Sequence, residues 1–163
     1  MKSLKRFFGQ PIKSYRKFLT IFFLLTLNFV IPALSYAMTP DLAINQFSKL
    51  SQLLGSGEYS QPETQTRMWR HLAAANVMTL GVMCFLMMLN LRKYRLILFP
   101  LAFLKAFNAS LFFLDYLAYD NRAFLAVAVF DFFTTWLFVH FSKKAYTDIQ
   151  GIEDSLLVPR PFD

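Results

Sequence analysis

Apolar side chains fill four long blocks of the chain, and polar ones occupy the stretches between them. The first block, "LTIFFLLTLNFVIPAL", covers residues 19–34. Three more follow at roughly 68–91, 96–118 and 123–141. Each of the last three is long enough to cross about 30 Å of hydrocarbon as an α-helix. The polar stretch 38–66 separates the first block from the rest. In it, Thr39-Pro40-Asp41 combines a capping hydroxyl, a proline in the first turn and an acid at the positive end of a helix dipole. Leu42, Ile44, Phe47, Leu50 and Leu54 then recur at roughly helical spacing, and Gly55-Ser56-Gly57 ends the run. This pattern predicts a short amphipathic helix lying on the membrane surface or on a partner. "EYSQPETQT" reads as a linker, and the polar tail 145–163, with Pro159 and Pro161, as a cytoplasmic segment.

The first block is the ambiguous one. Its 16 residues are short for a spanning helix, which needs about 20. A basic region precedes it, Pro32 is expected to break its helix, and Ser35-Tyr36-Ala37 offers small residues at a cleavage site. The favoured reading is a signal peptide over 1–37. The alternative is a retained signal anchor that adds a fourth helix. Either way, the chain's start faces the cytoplasm and residue 38 onward begins outside it.

Charge supports the same orientation. The chain has 17 Lys and Arg against 10 Asp and Glu. Lys2, Lys5, Arg6, Lys13, Arg16 and Lys17 all fall within the first 18 residues, which hold no acid. Removing those 6 from 17 leaves 11 bases against 10 acids, a net +1. The basicity is therefore a topological label and not a nucleic-acid footprint. The "RKYR" connection at 92–95 and "SKK" at 142–144 are also basic, which places both in the cytoplasm by the positive-inside rule. At 56% hydrophobic, with 20 phenylalanines in 163 residues, the composition exceeds that of soluble domains. Trp69, Tyr94, Tyr116, Tyr119 and Tyr146 lie near block ends, as interfacial aromatics do.

Two charges stand inside the oily blocks. Lys105 lies 13 residues before the midpoint of the last two spans, near residue 118, and Asp131 lies 13 after it. In an antiparallel hairpin both sit about 20 Å from the turn, at one depth. An unpaired ion there costs about 2.5–3.5 kcal/mol or more, so the two are expected to pair. Asn108 shares a face with Lys105, and Thr134 one with Asp131. Reflection about the 92–95 turn brings Asn76 and Thr79 to similar depth. The expected polar cluster is therefore Lys105, Asp131, Asn108, Asn76, Thr79 and Thr134. A polar rim of Arg70, His71, Asp115 and Arg122 is expected at the outer face, with Asp115 and Arg122 set across the turn.

Other chemistry is not supported. His71 and His140 fall near opposite membrane faces and cannot be two axial ligands of one haem. Met83 and Met87 have a spacing compatible with soft copper ligation, but methionines so placed are more often packing. Cys84 is alone. No phosphate loop, HExxH or nucleophile elbow is present. Neither a metal nor any cofactor is expected. The sequence thus describes an all-α integral membrane protein of the cell (inner) membrane. It is a small up-down bundle of three transmembrane helices over 67–144, preceded by the signal peptide or fourth helix. The expected function is that of a non-enzymatic accessory or structural subunit. Its partners would be the lipid bilayer and other membrane subunits or further copies of itself. The alternative is an oligomeric transporter or proton-coupled protein using the Lys105–Asp131 pair.

Overall fold

A computed structural model describes residues 9–57, 66–153 and 157, and among them there are helices and no strands. Five α-helices follow one another: α1 (Lys13–Met38), α2 (Pro40–Leu53), α3 (Thr66–Leu89), α4 (Leu98–Tyr119) and α5 (Arg122–Ile149). A 3-10 turn, Arg95–Ile97, leads into α4. Four of the helices, all but α2, contain stretches long and apolar enough to cross a membrane. The protein is thus a helical bundle of the membrane-embedded kind. Of the predicted linker, residues 58–66, all but Thr66 at the start of α3 lie outside the described residues, as does most of the tail beyond 153.

Two boundaries differ from the sequence expectation. The first helix does not break at Pro32 but runs through it for 26 residues. A proline removes one donor and strains one turn. In apolar surroundings, however, helix is the conformation that satisfies the remaining backbone groups. The chain turns only at Thr39, whose N–H bonds to the Ser35 carbonyl at 2.8 Å. The last helix continues past Phe141 to Ile149, taking in the basic residues expected to leave it. Phe138, Ser142, Ala145 and Ile149 are all buried on one of its faces, at spacings of four, three and four. That stripe holds the extension in helix although its other face is charged.

Helix α1 packs most extensively against α3, and α4 against α5, while α1 also lies on α5. Contact between α3 and α4 is slight. The core follows α1: Tyr15, Phe18, Leu19, Phe22, Leu25 and Phe29 make up 6 of the 16 residues of the buried cluster. Phe22 and Phe29 meet Phe138 of α5 at centroid distances of 5.7 and 6.0 Å. Against α3 the approach is close because of Gly81. A Cβ there would stand 2.8 Å from Val30 Cγ2 and 3.4 Å from Phe29 Cβ. Small residues permit such contact between helices in lipid, where apolar surface gains little by leaving the acyl chains.

Helix α2 is built on this bundle's own end. Its Phe47 ring lies 5.3 Å from that of Phe124 in α5. Ser51 Oγ receives a hydrogen bond from Asn121 Nδ2 at 3.0 Å, and Ser56 Oγ receives one from the Arg122 backbone N–H at 2.9 Å. The turn it grips is only two residues long. Asp120 takes the left-handed conformation (φ 47°) that an aspartate tolerates better than most residues. Asn121 caps α5 by accepting from the Ala123 N–H.

Candidate functional site: a buried lysine–aspartate pair

Helix α4 turns few residues inward. Its buried positions are Leu101, Lys105 and Ala109, one stripe at i, i+4 and i+8. Lys105 is therefore the middle of the only buried stripe on α4. On α5 the inward face is longer, and Asp131 lies within it between Ala128 and Thr134. The hairpin brings the two faces together. Lys105 is 8% exposed and Asp131 2%. The Lys105 ammonium donates to Asp131 Oδ1 and forms an ion pair with it. Asn108, one turn along α4, donates through Nδ2 to Asp131 Oδ2 at 2.6 Å. Both carboxylate oxygens are thus held by donors from one neighbouring helix.

Helix α1 closes the site. The Lys105 ammonium sits 5.2 Å from the centroid of the Phe29 ring, a cation–π arrangement that gains strength where water is excluded. Phe29 was not among the expected site residues. No local signal could have found it, because the contact depends on how α1 docks against the distant hairpin.

The remaining members of the expected cluster do not join it. Asn76 and Thr79 are exposed on α3, and Thr79 spends its hydroxyl on the Ala75 carbonyl at 2.8 Å. Reflection about the 92–95 turn assumed that α3 and α4 are close neighbours. Instead α3 turns Ala74, Leu80, Cys84 and Met87 inward, chiefly toward α1. Equal depth fixes neither neighbour nor rotation. Thr134 is buried beside the pair, but its hydroxyl bonds back to the Phe130 carbonyl at 2.8 Å. Its hydroxyl is thus spent on its own helix and not on either charge.

Of the expected outer rim, the described members Asp115 and Arg122 do not pair with each other. Arg122 directs Nη1 to the Leu54 carbonyl at 3.2 Å, toward α2 and not toward a carboxylate. Asp115 is half-buried, and among the described residues no ion pair joins it to Arg122. His71 is exposed, and the Arg70 and Trp69 side chains lie outside the described residues.

Met87 and Met88 are buried in the core, and Met88 Sδ accepts from Thr26 Oγ1 at 3.7 Å. The methionine run is thus part of the α1–α3 seam. Among the described residues, no three His, Cys, Asp or Glu side chains gather to hold a metal.

The chemistry of the site is that of a closed, neutral unit. One cation meets one anion, the second carboxylate oxygen takes an amide donor, and an aromatic face covers the ammonium. Comparison with known proteins finds no family, no curated protein and no solved structure that matches this chain.

Proposed function

We propose that this is a non-enzymatic, multi-pass integral membrane protein, a subunit of a larger membrane assembly, in which Lys105 and Asp131 lock α4 to α5. The observation that carries this reading is the saturation of Asp131. Its two oxygens are taken by Lys105 and Asn108, and Phe29 covers the lysine. A pair closed in this way fixes the depth and rotation of two helices and presents little to a ligand.

The subunit role is supported by the opposite face of α4. Phe99, Phe103 and Phe107 stack there in a ladder, with centroids 6.2 and 6.0 Å apart, and each is more than half exposed. Rigid aromatic rows suit contact with another transmembrane helix as well as with lipid. In the orientation we infer, the basic 92–95 loop and residues 142–144 face the cytoplasm and α2 faces the other side.

We further read α1 as retained. Cleavage after Ala37 would remove Phe29 from the lysine and all six α1 residues from the core. The mature chain is then a four-span protein.

The test is mass measurement of the complex extracted in mild detergent. The protein is expected in an assembly of fixed stoichiometry, and replacing Phe99, Phe103 and Phe107 by leucine should release a folded monomer. A wild-type chain that is monomeric would overturn the subunit reading. A purified homo-oligomer that moves protons across liposomes, and stops when Asp131 becomes Asn, would favour proton-coupled transport instead.

A further inference from the structure

At the end of the bundle that carries the 92–95 loop, a cavity of about 270 Å³ opens between the start of α4 and the far end of α5. Its walls divide by chemistry. Leu91 and Leu98 supply apolar surface, while Arg95, Lys143, Ser142 and Tyr146 supply cations and hydroxyls. Among the described residues, no lining side chain is acidic.

Three features mark it as built for an anion. The Arg95 guanidinium lies 4.0 Å above the Tyr146 ring, which holds its plane without neutralising it. Arg95 and Lys143 form no ion pair among the described residues. Ser142 is 2% exposed, yet its hydroxyl finds no hydrogen-bond partner among the described residues. A buried hydroxyl left unmatched costs free energy, and this one lines the cavity. A ligand with acceptor oxygens there would satisfy it.

The position narrows the ligand. The apolar run of α5 ends at Phe141 and "SKKAYT" begins, while the apolar run of α4 begins just after Arg95. The cavity therefore lies at the level where hydrocarbon gives way to headgroups. It falls below the usual range for a whole small-molecule site, about 300–1,000 Å³, but suits a phosphodiester with the glycerol attached to it. Basic pockets between spanning helices bind anionic headgroups in this way.

We propose that this cavity binds the phosphate of an anionic phospholipid. Arg95 grips two of its oxygens, Lys143 adds a second positive charge and Ser142 donates a hydrogen bond. Leu91 and Leu98 meet the lipid's glycerol and upper acyl chain. The proposal is independent of the role assigned to the Lys105–Asp131 pair.

The test is lipid binding to the purified full-length protein, followed by native mass spectrometry and thermal melting. The probes are phosphatidylglycerol, phosphatidylcholine and inorganic phosphate. Phosphatidylglycerol is expected to remain bound and raise the melting temperature, while the other two do neither. Lys143→Ala alone, and Arg95→Ala with it, should weaken phosphatidylglycerol binding by about tenfold per lost charged contact. Both residues are exposed, so the fold should persist. Lys93→Ala with Lys144→Ala removes two exposed charges that do not line the cavity and should change binding little. Equal weakening by that control pair would show general surface attraction and overturn the site. Equal stabilisation by inorganic phosphate would overturn the lipid assignment.

Discussion

The α1–α3 seam and the α4–α5 hairpin lie side by side and are held by opposite chemistry. Along the seam, the contacts are Phe29, Val30, Met87, Met88 and the bare backbone of Gly81. Along the hairpin, the centre is an ion pair with an amide donor. Hydrocarbon is as apolar as leucine, so burying apolar surface against protein gains little in a membrane. The seam must therefore rely on close fit and is sensitive to size. The hairpin relies on the cost of stranding a charge in hydrocarbon and is sensitive to polarity. Phe29 belongs to both, because it packs in the seam and covers the lysine.

The comparison breaks most severely if α1 is taken away. Residues 39–163, expressed behind a foreign cleavable signal, should fail to give a monodisperse protein after detergent extraction, since the core loses its central helix. N-terminal sequencing of the natural membrane protein should correspondingly find a start upstream of Lys13. A stable mature chain beginning at Met38 would refute the four-span reading.

Size should next be tested in the seam. Gly81→Leu is expected to destabilise the bundle by about 3 kcal/mol, the upper part of the usual range for overpacking, because the β-branched Val30 cannot turn aside. Detergent melting curves measure this. A leucine at Phe107, on the exposed ladder, should leave the melting temperature of the isolated chain almost unchanged.

Polarity should then be tested in the hairpin. Asn108→Ala removes the donor to Asp131 Oδ2 and should cost about 2 kcal/mol, as expected for a hydrogen bond to a charged group. Asn108→Leu should cost at least as much, although it adds apolar bulk. If Leu were well tolerated, shape and not hydrogen bonding would govern that position.

A smaller loss than in the seam or at the ion pair is expected where α2 meets the hairpin turn. Ser51→Ala removes the hydroxyl that ties α2 to Asn121 and should cost about 1 kcal/mol. Amide exchange should quicken in α2 and leave α3 to α5 unaffected.

Much of this arrangement was legible in the sequence, and the exceptions share a cause. The four long apolar helices were visible as apolar blocks, although the first was favoured as a signal peptide, and the Lys105–Asp131 pair was visible as two charges at matched depth. Both follow from one-dimensional quantities, length and position. Asn76 and Thr79 were misplaced because rotation about a helix axis and choice of neighbour are set by packing between distant segments. The continuation through Pro32 was hidden because a local breaking rule was overridden by the demand for satisfied backbone groups. The extension to Ile149 did leave a trace, the buried stripe of Ser142, Ala145 and Ile149, which the adjacent lysines masked.

The central claim is that Lys105 and Asp131 exist for each other. A double-mutant cycle in detergent tests it most directly, with thermal or denaturant unfolding as the readout. Lys105→Met and Asp131→Leu are each expected to destabilise the protein by about 3–5 kcal/mol, because each strands its partner as a lone buried charge. The combined variant should recover most of that loss, since no charge remains in the hairpin. Single changes that are silent, or that simply add in the combined variant, would contradict the pairing as the reason these two residues stand in the membrane.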